Sequence, residues 1–316
     1  MMNNHIWERL LSYQSTETIQ QKLEKHYQLL QFEHASERSY ENSYRFIYFL
    51  KHGENFFKQA NQSPYAIQPI LLFYGFSQLI KASLILKDPV YPSTATVLAH
   101  GVSSRKRKKQ HYHFLKDEIK IQRNGLFPHV ASKLFQINHL EAEKYSMETL
   151  LQQIAEMSEV FTFHHVKKSM MKLPQLGSSF QVTEELTNAY HLSTNRFIEY
   201  LSEKNHHLIE TITNDTFTSN ILTNTKCYEC HPLSYHIEED AYYLPASRDL
   251  LINLPELLAH YLLLYNLSMI SRYETEWWYE LLLGMTSDDY PFIIRYMEIV
   301  KRKIPFLIFH YLEGNL

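Results

Sequence analysis

Tyr74, Gln78 and Lys81 stand four and three residues apart inside residues 69–86, a stretch that is otherwise almost wholly apolar. At helical spacing they form one polar stripe on a helix whose other faces must be buried. Buried polar groups need partners or a cavity to line. Near the C-terminus Tyr261, Tyr265, Ser268 and Arg272 repeat the pattern on a second apolar segment. Two such stripes predict one internal polar site, joined by His100 and, one turn beyond the arginine, by Glu276 and Trp277. An ammonium and a guanidinium beside aromatic rings suit a phosphate, a carboxylate or a base-bearing ligand. The plainer alternative pairs Arg272 with Glu276 at i+4 and lets Lys81 reach the surface.

Three further groups have the residue types for chemistry. Arg105, Lys106, Arg107, Lys108 and Lys109 form an unbroken basic run, followed by His111, Tyr112 and His113. Such a run is either a solvated loop or an electrostatic footprint for a phosphate backbone with aromatics to stack bases. Arg45 and His52 share a helix face at i, i+7. There a histidine could act as general acid or base and an arginine could stabilise a phosphorane-like transition state. Arg105 with His111, Arg107 with His113 and Arg123 with His129 have similar spacings, as a permissive motif allows by chance. Cys227, Cys230, His231 and His236 could supply zinc ligands, although no second Cys-x-x-Cys or His-x-x-x-His accompanies them. Free, unligated cysteines are the expected state, with no metal or cofactor.

Composition narrows the classes. The 316 residues carry a net charge of −3, which argues against a generally basic nucleic-acid binder and leaves a local basic patch open. Seven glycines are scattered with no two close together. Phosphate-cradling loops need clustered glycines, so Walker, dinucleotide and kinase loops are absent, as is a nucleophile elbow. Two cysteines make no disulfide framework and fit a reducing compartment. The N-terminus reads as no secretory signal, and residues 257–270, broken by His260 and Asn266, are too short to span a bilayer. A cytoplasmic protein with no membrane partner is the expectation.

The elements that must position these groups are mostly helical. Apolar periodicity predicts helices from Ser15 or Thr16 to Leu30, over 39–60 with a kink at Gly53, and over 69–86. Further helices are expected over 145–163, 194–208, 254–283 and after 287–289. Alternation predicts a strand or hairpin in 117–127, with a turn at Asn124-Gly125, and short alternating pieces such as 235–244. The fold class is therefore mainly α. Residues 1–118 and 250–316 would form a helical core, and 119–249 a mixed α+β insertion.

Three stretches together resemble a known family: 71–82 around Tyr74, Gln78 and Lys81; 98–109 from Leu98-Ala99-His100-Gly101 into the basic run; and 265–278 around Arg272, Trp277 and Trp278. Their layout, and the length, are similar to the YaaC-like proteins of Bacillus and related Firmicutes. The resemblance implies a bacterial cytoplasmic protein and carries over no catalytic residues. The tyrosine-rich helix leading to His100-Gly101 is more distantly similar to HEPN domains, which implies a metal-independent endoribonuclease using Arg45 and His52. Three functions follow as expectations. They are a helical binding or regulatory protein for a nucleotide or RNA, that ribonuclease, and a scaffold for a protein partner.

Overall fold

The computed structural model describes residues 2–104, 112–140, 143–165, 167–206, 208–224 and 227–316. The basic residues Arg105, Lys106, Arg107, Lys108 and Lys109 lie outside the described residues, as does His111. The chain is mainly α-helical, with small antiparallel sheets. Its first helices are α1 (Met2–Leu11), α2 (Thr16–Leu29), α3 (Ala35–Gln62) and α4 (Gln68–Lys87). Strands β1 (Val102–Ser104) and β2 (Glu118–Ile121) follow, then α5 (Leu126–Phe135), β3 (Lys144–Ser146), α6 (Met147–Leu151) and α7 (Ser158–His165). Next come β4 (Met170–Lys172), β5 (Gln175–Leu176), β6 (Ser179–Gln181), α8 (Glu184–Tyr190) and α9 (Thr194–Lys204). Strands β7 (Thr211–Thr213) and β8 (Thr216–Thr218), α10 (Asn220–Asn224), β9 (Ser234–His236) and β10 (Ala241–Pro245) complete the mixed stretch. Helices α11 (Glu256–Tyr273), α12 (Thr275–Gly284) and α13 (Asp289–Asn315) end the chain. The strands pair antiparallel in the orders β1-β2-β3, β4-β10-β9 and β5-β6-β8-β7.

Helix α4 is the centre of the packing, because α3, α11, α13 and α5 all lie against it. Leu72, Phe73, Phe76, Leu79, Ile80, Leu84 and Ile85 are fully buried. Each contributes roughly 1.5–3 kcal/mol by leaving water. By length and composition α4 could cross a membrane; here most of it is covered by the neighbouring helices. Its closest neighbour is α3, and glycine sets that approach. A β-carbon on Gly53 would come within 2.6 Å of the Leu79 side chain, and one on Gly75 within 2.9 Å of the Phe56 and Phe57 side chains. Gly53 therefore marks a helix crossing and not a kink, and α3 runs unbroken from Ala35 to Gln62.

Other expected elements are also redrawn. Asn124-Gly125 does not turn a hairpin; Gly125 opens α5, and β2 pairs with β1 and β3 on either side. The helix expected over 145–163 is divided into β3, α6, a 3-10 turn (Ala155–Met157) and α7. The one expected over 254–283 breaks at Glu274 into α11 and α12.

The 3-10 turn carries one end of a buried ionic cluster. Lys303 of α13 is fully buried, and its Nζ lies 2.9 and 3.0 Å from the two carboxylate oxygens of Glu156 and 3.0 Å from Glu256 Oε1 of α11. It also donates to the Tyr235 carbonyl of β9. The Ser234 hydroxyl donates to Glu256 at 2.9 Å, and the Ile237 N–H to Glu156 at 3.0 Å. Burial alone would raise the Glu256 carboxyl, but the Lys303 ammonium and His260 outweigh it and hold it below its ordinary range.

Replacing Lys303 with Met should strand two buried carboxylates and cost about 3–5 kcal/mol, read as a fall in the urea midpoint at pH 7. Adding Glu156→Gln should recover part of the loss. A carboxyl held low stabilises the fold above its unfolded value, and that contribution is lost as pH falls through the folded value. Acid titration should therefore lower wild-type stability more steeply than that of Lys303→Met; equal slopes would show that the cluster is not ionised.

Candidate functional site

His100 sits where the two polar stripes meet. Its backbone carbonyl accepts from the Phe127 N–H at 3.1 Å and from the Tyr261 hydroxyl at 3.1 Å. On either side the Leu126 N–H donates to Ala99 at 2.7 Å and the Gln122 N–H to Gly101 at 2.9 Å. This lock needs glycine at two positions. Gly101 has φ +78° and Gly125 φ +134°, and a β-carbon on Gly125 would lie 2.3 Å from the Gly101 Cα. Both conformations disfavour residues with a side chain, and the contact excludes one outright.

Held in this way, the His100 ring lies among Phe73 (5.0 Å between centroids), Tyr265 (5.5 Å) and Tyr74 (6.2 Å). The α4 stripe is its open side: Tyr74, Gln78 and Lys81 are half-buried where most of the helix is buried. The α11 stripe is wired along its length. Tyr261 holds His100, the Ser268 hydroxyl donates to the Tyr265 carbonyl at 2.8 Å, and Arg272 Nε donates to the Ser268 carbonyl at 2.9 Å.

The electrostatics are one-sided. Burial pushes the His100 imidazole below its ordinary value, and the positive charges of Arg272 and Lys81 push it the same way. Burial likewise lowers the Lys81 ammonium, whose companion is the Phe49 ring at 5.8 Å. Arg272 touches the Ser268 carbonyl, the Met269 sulfur at 3.1 Å and the Tyr273 ring at 5.1 Å. Among the described residues no carboxylate pairs with Lys81 or Arg272. Glu276 is exposed and stands beyond the Glu274 break, so the i+4 geometry that would have paired it with Arg272 does not exist. Tyr74, Lys81, His100, Tyr265 and Arg272 are thus gathered into a cationic, aromatic-walled cluster, with Gln78 on the same face of α4.

Trp277 stands apart from that cluster, packing edge-on against Tyr112 at 4.7 Å. Tyr112 donates to Asp117 at 3.1 Å, and Asp117 accepts from Asn266 of α11 at 2.7 Å. Ser104, just before the basic run, is therefore held in β1, and Tyr112, three residues beyond it, against α12. Phe49 and Phe73 belong to the walls and escaped the sequence reading because isolated aromatic positions resemble core.

Arg45 and His52 are not brought together. Arg45 donates to Asn42 Oδ1 at 3.1 Å and to the Tyr91 carbonyl, fastening the segment after α4. His52 is exposed, with its ring 4.7 Å from Phe56. Of the other spaced pairs, His129 is bound to Asp88 at 2.7 Å. Cys227 and Cys230 are buried, and Cys230 Sγ donates to the carbonyls of Cys227 (2.8 Å) and Leu233 (3.1 Å). Burial pushes the Cys227 thiol up to about 12 and the His231 imidazole down to about 4. His236 accepts from the Glu239 N–H at 3.2 Å. Among the described residues no three His, Cys, Asp or Glu side chains are grouped to hold a metal.

The sequence model of one family, described as YaaC-like Protein, matches residues 11–312. No curated protein and no solved structure matches the chain.

The charge cluster has a direct spectroscopic consequence. In proton NMR the His100 ring should titrate below its ordinary midpoint of about 6.5, and Arg272→Ala or Lys81→Ala should each move that midpoint upward. A midpoint unchanged in both variants would mean that the three groups do not share one field.

Proposed function

The chain belongs to the YaaC-like family, and from its own geometry we propose that it is a cytoplasmic binding or regulatory protein for a phosphate-bearing ligand, a nucleotide or RNA. In this reading residues 1–118 and 250–316 are the helical core that builds the site, and 119–249 are the mixed insertion. The observation that carries it is the convergence of Lys81, His100 and Arg272, with no carboxylate among the described residues paired to Lys81 or Arg272. Gathering like charges in a half-buried place costs stability, and such clusters gather at functional sites. An anion removes the repulsion.

The chemistry divides among the residues. The Arg272 fork presents several donors to phosphate oxygens, and the Lys81 ammonium adds a point charge. His100, whose imidazole burial and the two neighbouring cations hold below its ordinary range, would be relieved of the cations' share of that shift by a bound anion. Tyr74 and Tyr265 give ring faces for a base. The basic run Arg105 to Lys109 would steer polyanions toward the cluster. A protein partner is the second reading, and the exposed Tyr279, Leu283 and Met285 at α12 are the surface it would use.

Calorimetric titration with the 5′-phosphorylated dinucleotide pUpU should show binding that weakens as salt rises. Arg272→Ala and Lys81→Ala should each lose about tenfold or more in affinity, the worth of a charge-assisted hydrogen bond, with thermal melting unchanged. Binding that survives both substitutions would overturn the reading, and a collapse of melting in Arg272→Ala would make that residue structural.

A further inference from the structure

Helix α3 carries an aromatic ring at every fourth position: Tyr40, Tyr44, Tyr48, His52 and Phe56. Steps of four residues trace a ridge along an α-helix, rising about 6 Å each, so five rings span about 24 Å. Within the row, ring centroids are 5.8 Å apart for Tyr40 and Tyr44, 6.4 Å for Tyr44 and Tyr48, and 4.7 Å for His52 and Phe56. Most of the row faces solvent, with Tyr40 56% and Tyr48 65% exposed. Single surface aromatics need no explanation, but two runs of touching rings on one helix, Tyr40 to Tyr48 and His52 to Phe56, suit a contact surface.

The row leads somewhere. At its C-terminal end Phe56 stacks on Tyr74 at 6.3 Å with 28° between planes, and Tyr74 meets His100. Phe49 of the same helix lies under the Lys81 ammonium. The His52–Phe56 end of the ridge therefore adjoins the cationic cluster, and the tyrosine run lies one step of four residues further along the helix. Two of the three acidic groups along α3 face cations: Glu54 is buried between Lys51 (3.1 Å) and Lys58 (2.6 Å), and Glu41 faces Arg38 at 3.7 Å, while exposed Glu37 has His34 at 3.9 Å. A polyanion can follow the helix without meeting an unopposed carboxylate at Glu41 or Glu54.

We propose that the ligand of the phosphate site is a single-stranded nucleic acid several nucleotides long, its bases laid along the α3 ridge and a phosphate held by Lys81 and Arg272. The inference rests on the phosphate-site reading and narrows it from nucleotides in general to an extended strand. A charged groove with successive aromatic rings is the general design for holding single strands, because every base has a face to stack and only an unpaired strand can turn those faces outward. Recognition of this kind tolerates any sequence.

Fluorescence anisotropy with labelled oligouridylates of two, four, eight and twelve residues tests it on the full chain, with oligothymidylates run in parallel to separate RNA from DNA. Affinity should rise with length and then level off. Tyr44→Ala and Tyr48→Ala should each weaken octamer binding by about tenfold and leave pUpU binding unchanged, while Tyr48→Phe keeps the octamer. An octamer bound no more tightly than the dinucleotide, or held equally well by both alanine variants, would overturn the ridge. In that case pUpU binding lost in Arg272→Ala would leave the phosphate site standing. If no oligomer binds, including pUpU, both readings fall and the exposed ring faces belong to a protein partner.

Discussion

The buried ammonium of Lys303 is the fastening on which the rest of the molecule depends. It joins α13 to the turn around Glu156, to the first turn of α11 through Glu256 and to β9 through a carbonyl. Desolvating three charges is costly, and a well-packed apolar substitute can be equally stable. The ionic arrangement adds direction: two carboxylates fixed by other hydrogen bonds accept the lysine in one pose only. Fixing Glu256 at the start of α11 sets the rotation of that helix, and Tyr261, Tyr265, Ser268 and Arg272 lie along the same helix at helical spacing. The aim of the site is thus determined about 24 Å away from it.

The site itself combines rigid backbone with unsatisfied charge. Gly101 against Gly125 leaves no room for adjustment, and the Tyr261 hydroxyl and the Phe127 N–H grip the same carbonyl. Preorganisation of this kind spares a ligand the cost of ordering the protein. The cations it holds gain little from one another, which is the opposite of the Lys303 cluster, where every charge has a partner. The two polar centres thus differ in kind: one is an ionic cluster in which opposite charges meet, the other a gathering of like charges that no carboxylate among the described residues pairs.

Much of this was legible in the residues. The α4 and α11 stripes stand out because their surroundings are apolar, and helical spacing alone puts Tyr74 beside Lys81 and Tyr265 beside Arg272. What could not be read was anything that depends on distant pairing. Lys301, Arg302 and Lys303 are consecutive, yet they turn to Glu298, Glu238 and the buried carboxylates in succession. Nothing local distinguishes the inward lysine. The Glu274 break was equally hidden, since apolar periodicity continues across it. Gly53 and Gly125 misled for one reason: glycine signals close approach as readily as a kink or a turn.

The wrapping of α4 also has a meaning in time. Its sequence neighbours α2 and α3 cover part of it as soon as they are made, but α11 and α13 leave the ribosome only after the whole mixed stretch has been translated. At about 5–20 residues per second the wait is roughly ten to forty-five seconds, during which a helix of membrane-like composition stands partly uncovered. Contacts so far apart in sequence are slow to form even in a finished chain. Until α11 and α13 are made, the faces of α4 that they cover stay open, and the cover on this central helix is completed only when both have docked.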